Sequence, residues 1–238
     1  MASLSIVFLR FAGWDVQILL RMNVFITGGT GYMGMQLIPW LIRRGHTVRA
    51  LVRKGSESRL PAGCISIVGN ALDRATFADQ VSAGDTFIQL LGVPHPSPAK
   101  AKQFREVDLV SIRESVAVAA QRGVKHFIYV SVAHPASIMK AYIEVRMEGE
   151  RLIRKAGLNA TILRPWYVLG PRRWWPVMLL PLYGILEQIP STRATALRLG
   201  FVNIDQMLSS LLDAVEAPAT GIRVLEVPQI RKARPLRV

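Results

Sequence analysis

Three observations predict an α/β fold built on a doubly wound parallel sheet, with a small C-terminal segment on the substrate side. Short apolar runs alternate with stretches of helical period from residue 22 to residue 165, the order that makes βαβ units. Most of the runs are continuously apolar, as in parallel strands covered on both faces. The first run is followed at once by glycines, a helix and a second run, all within residues 22–51 (MNVFITGGTGYMGMQLIPWLIRRGHTVRAL). The chain then divides into an extension over residues 1–21, a sheet domain over 22–165, and a substrate-side lobe with a basic tail over 166–238.

NVFIT (23–27) is the first strand. Gly28, Gly29, Gly31 and Gly34 form the turn after it, and a helix runs over 33–44 until Gly45 stops it. Pro39 lies inside that helix and is expected to kink it or loosen one turn. TVRALV (47–52) is the second strand and CISIV (64–68) the third. Cys64, the single cysteine, begins the third strand and reads as a buried structural thiol; it allows neither an internal disulfide nor a multi-cysteine zinc site. Asp73 suits the N-cap of a helix starting near Arg74.

DTFIQLL (85–91) is the fourth strand. The proline-rich VPHPSP (93–98) is a loop over the cleft, in which His95 reads as a surface residue. A long helix spans 102–122, with Phe104, Val107, Val110 and Val118 on its apolar face. KHFIYVSV (125–132) is the fifth strand, with Ser131 near its end. The helix over 141–155 carries Tyr142 and Arg146 on one face at i and i+4, and NATIL (159–163) is the sixth strand. Beyond residue 165 the alternation stops. WWPVMLLPLYGILEQIP (174–190) is apolar but broken by Pro176 and Pro181, which reads as a pocket wall or a membrane-touching lip rather than a span.

Thirty Lys and Arg against sixteen Asp and Glu give a formal charge of +14, which favours anionic partners: a phosphate-bearing cofactor, an acidic membrane surface or nucleic acid. The basic residues are spread along the chain, and no helix-turn-helix, zinc-finger or RNA-binding signature accompanies them, so nucleic acid is not the expected ligand. Residues 1–21 lack the basic start and small-residue cleavage site of a signal peptide, and Arg10 and Asp15 interrupt them too soon for a span. They read as an upstream extension from a mis-chosen start, with a peripheral anchor as the second reading. The expected place of the protein is the cytoplasm or the membrane surface facing it.

The glycine spacing carries the chemistry. A pyrophosphate needs several backbone N–H groups aimed at it and the positive end of a helix dipole behind them. A side chain at Gly28 would crowd the tight turn, one at Gly31 would hold the phosphates off the backbone, and one at Gly34 would push helix from strand. In NAD-specific sites an acid at the end of the second strand binds the ribose 2′-hydroxyl. Here that place holds Arg53 and Lys54, with Arg49 nearby, and this favours the 2′-phosphate of NADP over NAD. Asn70 and Ala71, after the third strand, are candidate adenine contacts, and Gly92, after the fourth, lets the backbone approach the cofactor.

TGGTGYMG (27–34), HTVRALVR (46–53), GVKHFIYVSV (123–132), Tyr142 with Arg146, LRPWYVLGP (163–171) and FVNIDQM (201–207) resemble the short-chain dehydrogenase/reductase superfamily, in its atypical, NmrA-like branch of NAD(P)H-binding proteins. The resemblance spans residues 22–228. It implies a Rossmann domain over 22–165 in which Thr27, Gly28, Gly29, Thr30, Gly31, Tyr32, Met33 and Gly34 surround the pyrophosphate and Leu91, Gly92 and Pro165 add cofactor contacts. In catalytic members a Ser orients the substrate carbonyl, a Tyr is the acid/base, and a Lys four residues later binds the nicotinamide ribose. Ser131 and Tyr142 stand at the first two positions. Arg146 stands where the Lys is expected, keeping the charge but unable to release a proton, and Asp108 stands near an expected Asn.

Three functions follow from this. One is an NADP-dependent oxidoreductase acting on a carbonyl-type group of an apolar small molecule held by Trp166, Tyr167, Trp174 and Trp175. Another is a non-catalytic NADP(H)-binding sensor or scaffold. The third is an accessory protein of the respiratory or quinone type, peripheral to an anionic membrane through the Trp-rich lip beside Arg172 and Arg173. The oligomeric state is left open.

Overall fold

A computed structural model describes residues 21–171 and 188–236. Residues 1–20 of the extension, the segment 172–187 with Arg172, Arg173, Trp174 and Trp175, and residues 237–238 lie outside the described residues.

The chain builds β1 (Asn23–Thr27), α1 (Gly34–Arg43), β2 (Thr47–Val52), β3 (Ile65–Val68) and β4 (Thr86–Gln89). A rod made of α2 (Ala101–Gln103), a wide π-type turn at Phe104–Leu109 and α3 (Val110–Gln121) follows. Then come β5 (His126–Val130), α4 (Lys140–Lys155), β6 (Ala160–Arg164), β7 (Tyr167–Leu169), α5 (Pro190–Arg198), β8 (Phe201–Asn203), α6 (Ile204–Glu216), β9 (Ile222–Glu226) and α7 (Val227–Arg231). The main sheet has seven parallel strands in the order β3-β2-β1-β4-β5-β6-β9, and β7 pairs with β8 in a two-stranded sheet beside it. The order reverses between β1 and β4, which opens a crevice at the carboxyl ends of those strands.

Period-two alternation along the central strands fills two cores. Phe25, Phe87 and Phe127 are register partners across β1, β4 and β5, and their rings sit 5.2 Å apart in succession. Each such pair contributes about 1 kcal/mol beyond its area. They pack under Ile112, Val116 and Ala119 of α3. The opposite residues, Val24, Ile26, Ile88 and Ile128, meet Leu37, Ile38 and Leu41 of α1 and Met207, Leu211 and Val215 of α6. The sheet is therefore covered on both faces, as the apolar runs predict. Asn203 and Gln206 start α6 with a reciprocal capping box of 2.8 and 2.9 Å.

Three expectations are corrected and one is refined. The helix expected from Arg74 is two single 3₁₀ turns, Arg74–Thr76 and Ala78–Gln80; Asp73 does cap the first, accepting the Ala75 N–H at 3.1 Å, but Val81 is already back in extended backbone. The helix expected over 102–122 is present as one rod over 101–121, widened at Phe104–Leu109. The third strand begins at Ile65, with Cys64 outside it and half-buried, and Ile65 and Val68 are exposed because β3 is an edge. Burial still pushes the Cys64 thiol up to about 11, away from reactivity. Finally, the chain beyond residue 165 does not stay apart as a lobe: β9 returns to the main sheet and pairs with β6 along its whole length. Among the described residues no helix is long and apolar enough to cross a membrane.

Candidate functional site

Parallel strands end on one edge, so the sequence-selected residues gather there. The glycine turn leaves β1 with Gly28 at φ +76°, a conformation L side chains rarely adopt. A methyl group on Gly28 would lie 2.7 Å from the Leu91 amide nitrogen, so the turn is pressed against the chain leaving β4. One on Gly34 would meet the Gly28 and Gly29 carbonyls at 2.6 Å, so α1 begins directly on the turn. One on Gly31 would meet only the Gly28 carbonyl, at 3.1 Å. The space above Gly31 is open, at the N-terminus of a ten-residue helix with no acidic side chain in its first turn. The cradle fits a pyrophosphate by shape and by the sign of the helix dipole. Met33 precedes the helix as its N-cap without a side-chain bond, and the carbonyls of Tyr32 and Thr30 accept from Gln36 and Arg59, at 2.9 and 3.5 Å.

Arg53 and Lys54 are exposed just past the end of β2, and neither has an ion-pair partner among the described residues. Arg49 does not join them. It forms a 2.5 Å ion pair with Asp85, which is buried at the opposite, amino end of the sheet, and it lies over the Phe25 ring. A third cation, Arg59 from the single 3₁₀ turn Glu57–Arg59, bonds to the turn itself through the Thr30 carbonyl. No periodicity marks it in the sequence; only its place after the second strand does. Asn70 accepts the Leu72 N–H at 3.0 Å, Ala71 is buried, and together they shape the end of β3. Pro165 follows β6, and its carbonyl accepts the Ala133 N–H at 2.9 Å, tying the loops after β5 and β6.

Tyr142, Arg146 and Glu150 form a ladder on one face of α4. Tyr142 packs edge-on against Phe104 with ring centroids 5.1 Å apart. It borders a cavity of about 290 Å³ whose other walls are Pro98, Phe104, Met139, Lys140 and Ala141. The Arg146 guanidinium sits 5.0 Å from the Tyr142 ring centre and is itself buried. It donates to the Val130 carbonyl at 3.0 Å and to the Asp108 carboxylate at 2.6 Å. Burial raises Asp108 above the usual carboxylate range, and Arg146 and the Val93 N–H pull against it. Asp108 comes from the wide turn at Phe104–Leu109, which swings it inward off the helix.

Ser131 is buried, and its hydroxyl donates to Glu150 at 2.7 Å. Glu150 also accepts from Arg164 at 2.8 and 2.5 Å, and Arg164 reaches on to Glu226 of β9 at 2.7 Å. Burial works to raise Glu150, but the bonds from Arg164 and Ser131 prevail and hold it below its ordinary range. Ser131, expected to face a substrate carbonyl, directs its hydroxyl into this ion cluster in the structure. Glu150 was not singled out in the sequence, although its i+8 spacing from Tyr142 puts it on the same helix face. Trp166 and Tyr167 follow β6, with Tyr167 opening β7, whereas Trp174 and Trp175 lie outside the described residues.

Residues 28–171 match the protein family described as NAD(P)H-binding. The chain is similar to a ceramide reductase of Caulobacter vibrioides, 23% identical over 88% of this chain and 65% of that one. It is similar to a 3-diazoavenalumate denitrifying reductase of Streptomyces, 28% identical over 84% and 74%. It also resembles a 4-hydroxy-2-methyl-3-oxo-4-farnesyl-3,4-dihydroquinoline-1-oxide ketoreductase of Stigmatella aurantiaca, 23% identical over 63% and 51%. The chain thus spans between half and two thirds of the length of two of these three relatives. Among solved structures, the Bordetella bronchiseptica enzyme WbmH in complex with NAD+ superposes with a TM-score of 0.66 at 19% identity, over 87% of this chain and 76% of that one.

Proposed function

Since the chain belongs to the NAD(P)H-binding family of atypical short-chain dehydrogenases/reductases, we propose that it is an NADP-dependent oxidoreductase for an apolar substrate with a carbonyl-type group. The observation that carries the cofactor half is the pairing of an open glycine cradle with Arg53, Lys54 and Arg59. The cradle accepts the pyrophosphate, and the three cations, with no acid among the strand-end residues, suit a 2′-phosphate. The crevice between β1 and β4 then directs the other half of the dinucleotide toward Gly92 and the end of β5.

The substrate half rests on the cavity beside Tyr142, walled by Phe104, Met139 and Pro98. Relatives named for a ceramide and for a farnesyl-bearing quinoline oxide favour an apolar molecule there. A reduced nicotinamide held in this site would supply hydride to a carbonyl group. The Tyr142 phenol gives its proton to the carbonyl oxygen, and the product is the alcohol. Neither Ser131 nor Arg146 gives that proton, because the Ser131 hydroxyl and the Arg146 Nη1 and Nη2 groups are already engaged inside the protein.

That engagement favours a second reading: a protein that binds NADP(H) without turnover, as sensor or as membrane-peripheral scaffold. Titration with NADPH and NADH, followed by nicotinamide fluorescence, tests the shared premise. Tighter binding of NADPH is the expected result, and binding of neither would overturn both readings. NADPH oxidation in a screen of apolar ketones separates them, since turnover lost on Tyr142→Phe is expected only of the enzyme.

A further inference from the structure

Arg146 and Asp108 depart together from the residues expected at their positions, and the structure brings them into contact. Asp108 uses both carboxylate oxygens: one receives Arg146, the other the Val93 N–H at 2.9 Å. Its carbonyl accepts the Ser111 hydroxyl at 3.0 Å, and Ser111 in turn accepts from Gln89 at 3.0 Å. Gln89 is bonded to Thr27, its register partner on β1 and the residue before Gly28. A hydrogen-bonded chain therefore runs through the interior from the phosphate turn to the helix that carries Tyr142. Every member is buried. Arg146 closes the far end on the Val130 carbonyl. A methyl group on Gly92 would overlap the Arg146 Nη2 atom and lie 3.1 Å from Asp108, so the pair occupies the space a side chain at residue 92 would take.

We propose that Asp108 is a positioning residue that locks the Arg146 guanidinium and the Val93 amide at the end of β4, and that the two residues together shape the nicotinamide end of the cofactor site. This rests on the cofactor reading above. A guanidinium reaches a carbonyl and a carboxylate at once through separate N–H groups, whereas an ammonium is a single point on a flexible stem. Arg146→Lys alone leaves the buried carboxylate poorly met, and Asp108→Asn alone leaves a buried cation without its anion. Both substitutions break the same link, so their effects overlap rather than add.

The test compares wild type, Asp108→Asn, Arg146→Lys, the double variant and Gly92→Ala. Each is titrated with whichever of NADPH and NADH the wild type binds more tightly, and with the same dinucleotide lacking its nicotinamide ring. Thermal unfolding identifies the folded proteins. Gly92→Ala displaces the flexible end of Arg146 and presses on the Asp108 carboxylate without removing either charge, so it keeps the test available if a charge variant fails to fold. The expected result is about a tenfold loss for the complete cofactor in each single variant, no loss for the ring-less molecule, and a double variant no weaker than the weaker single. Equal losses for both molecules would reduce the pair to a structural role and overturn the proposal. So would wild-type affinity in Gly92→Ala, or a double loss equal to the product of the single losses. A wild type that binds the ring-less molecule as tightly as the whole cofactor would overturn the proposal while sparing the phosphate site; one that binds neither would overturn the cofactor reading itself.

Discussion

The Arg146 guanidinium lies 2.6 Å from the Asp108 carboxylate, inside the protein and one turn of helix from Tyr142. The cation that follows Tyr142 is thereby neutralised within the fold. Replacing Asp108 with Ala removes the anion and leaves the cation buried. A loss of about 3 kcal/mol in unfolding free energy is expected by urea denaturation. Replacing both members with neutral residues of similar size should cost less than either single change, because no buried charge is then left unpaired.

Arg53 and Arg59 should set the choice between the two nicotinamide cofactors. Arg53→Ala and Arg59→Ala are each expected to weaken NADPH binding by about tenfold while leaving NADH affinity near wild type, since a charge-assisted bond to a phosphate contributes about 1.5 kcal/mol or more. Fluorescence titration in parallel at 50 and 300 mM salt checks this. The NADPH preference should shrink at the higher salt, because both side chains are exposed.

The glycine turn tolerates no side chain at Gly34. The Gly34→Ala methyl would sit 2.6 Å from two carbonyl oxygens of the turn. Since both are backbone atoms, the turn itself must move, at a cost of about 2 kcal/mol or more. A lowered melting temperature together with lost cofactor affinity is the expected pair of results. Gly45→Ala is the useful control: nothing lies within 4 Å of the added carbon. It strains only a backbone at φ +81°, so it should lower stability without touching the site.

Acid should loosen the protein through His126. This ring is buried between β5 and β6, shares a 3.0 Å hydrogen bond with Thr161, and is lowered by burial to about 4. The unfolded chain takes up a proton near pH 6.5, and the folded one resists until about 4. The unfolded state therefore binds more protons in that window, and stability falls as pH drops from 6.5 toward 4, by up to about 3 kcal/mol from this group. Urea unfolding at half-unit steps should show a shallower slope in His126→Asn than in wild type across the window.

The sequence made the central strands legible for a physical reason. β1 and β2 run over the residues their apolar patterns mark, because a parallel strand buried on both faces must be apolar throughout. The glycine turn was legible because each glycine answers a local backbone demand. Illegible were relationships that depend on distant partners. Arg49 looked like a phosphate ligand until Asp85, 36 residues on, took it to the other end of the sheet. Ser131 stood at the position of a substrate contact, yet Glu150 on the facing helix claims its proton. The 3₁₀ turns after Asp73 were missed because a good cap does not reveal how soon the chain must return to the sheet.

The last strand of the sheet carries a consequence for synthesis. β6 finds its outer neighbour only in Ile222–Glu226, after the chain has left for β7, α5, β8 and α6 and come back. While the chain emerges from a ribosome, β6 is an open edge until residue 226 is free, and Arg164 waits for Glu226 to complete its ion pair. The nascent protein thus carries an unpaired parallel edge from the time β6 forms until β9 has been made, the interval in which a chaperone would be of most use to it.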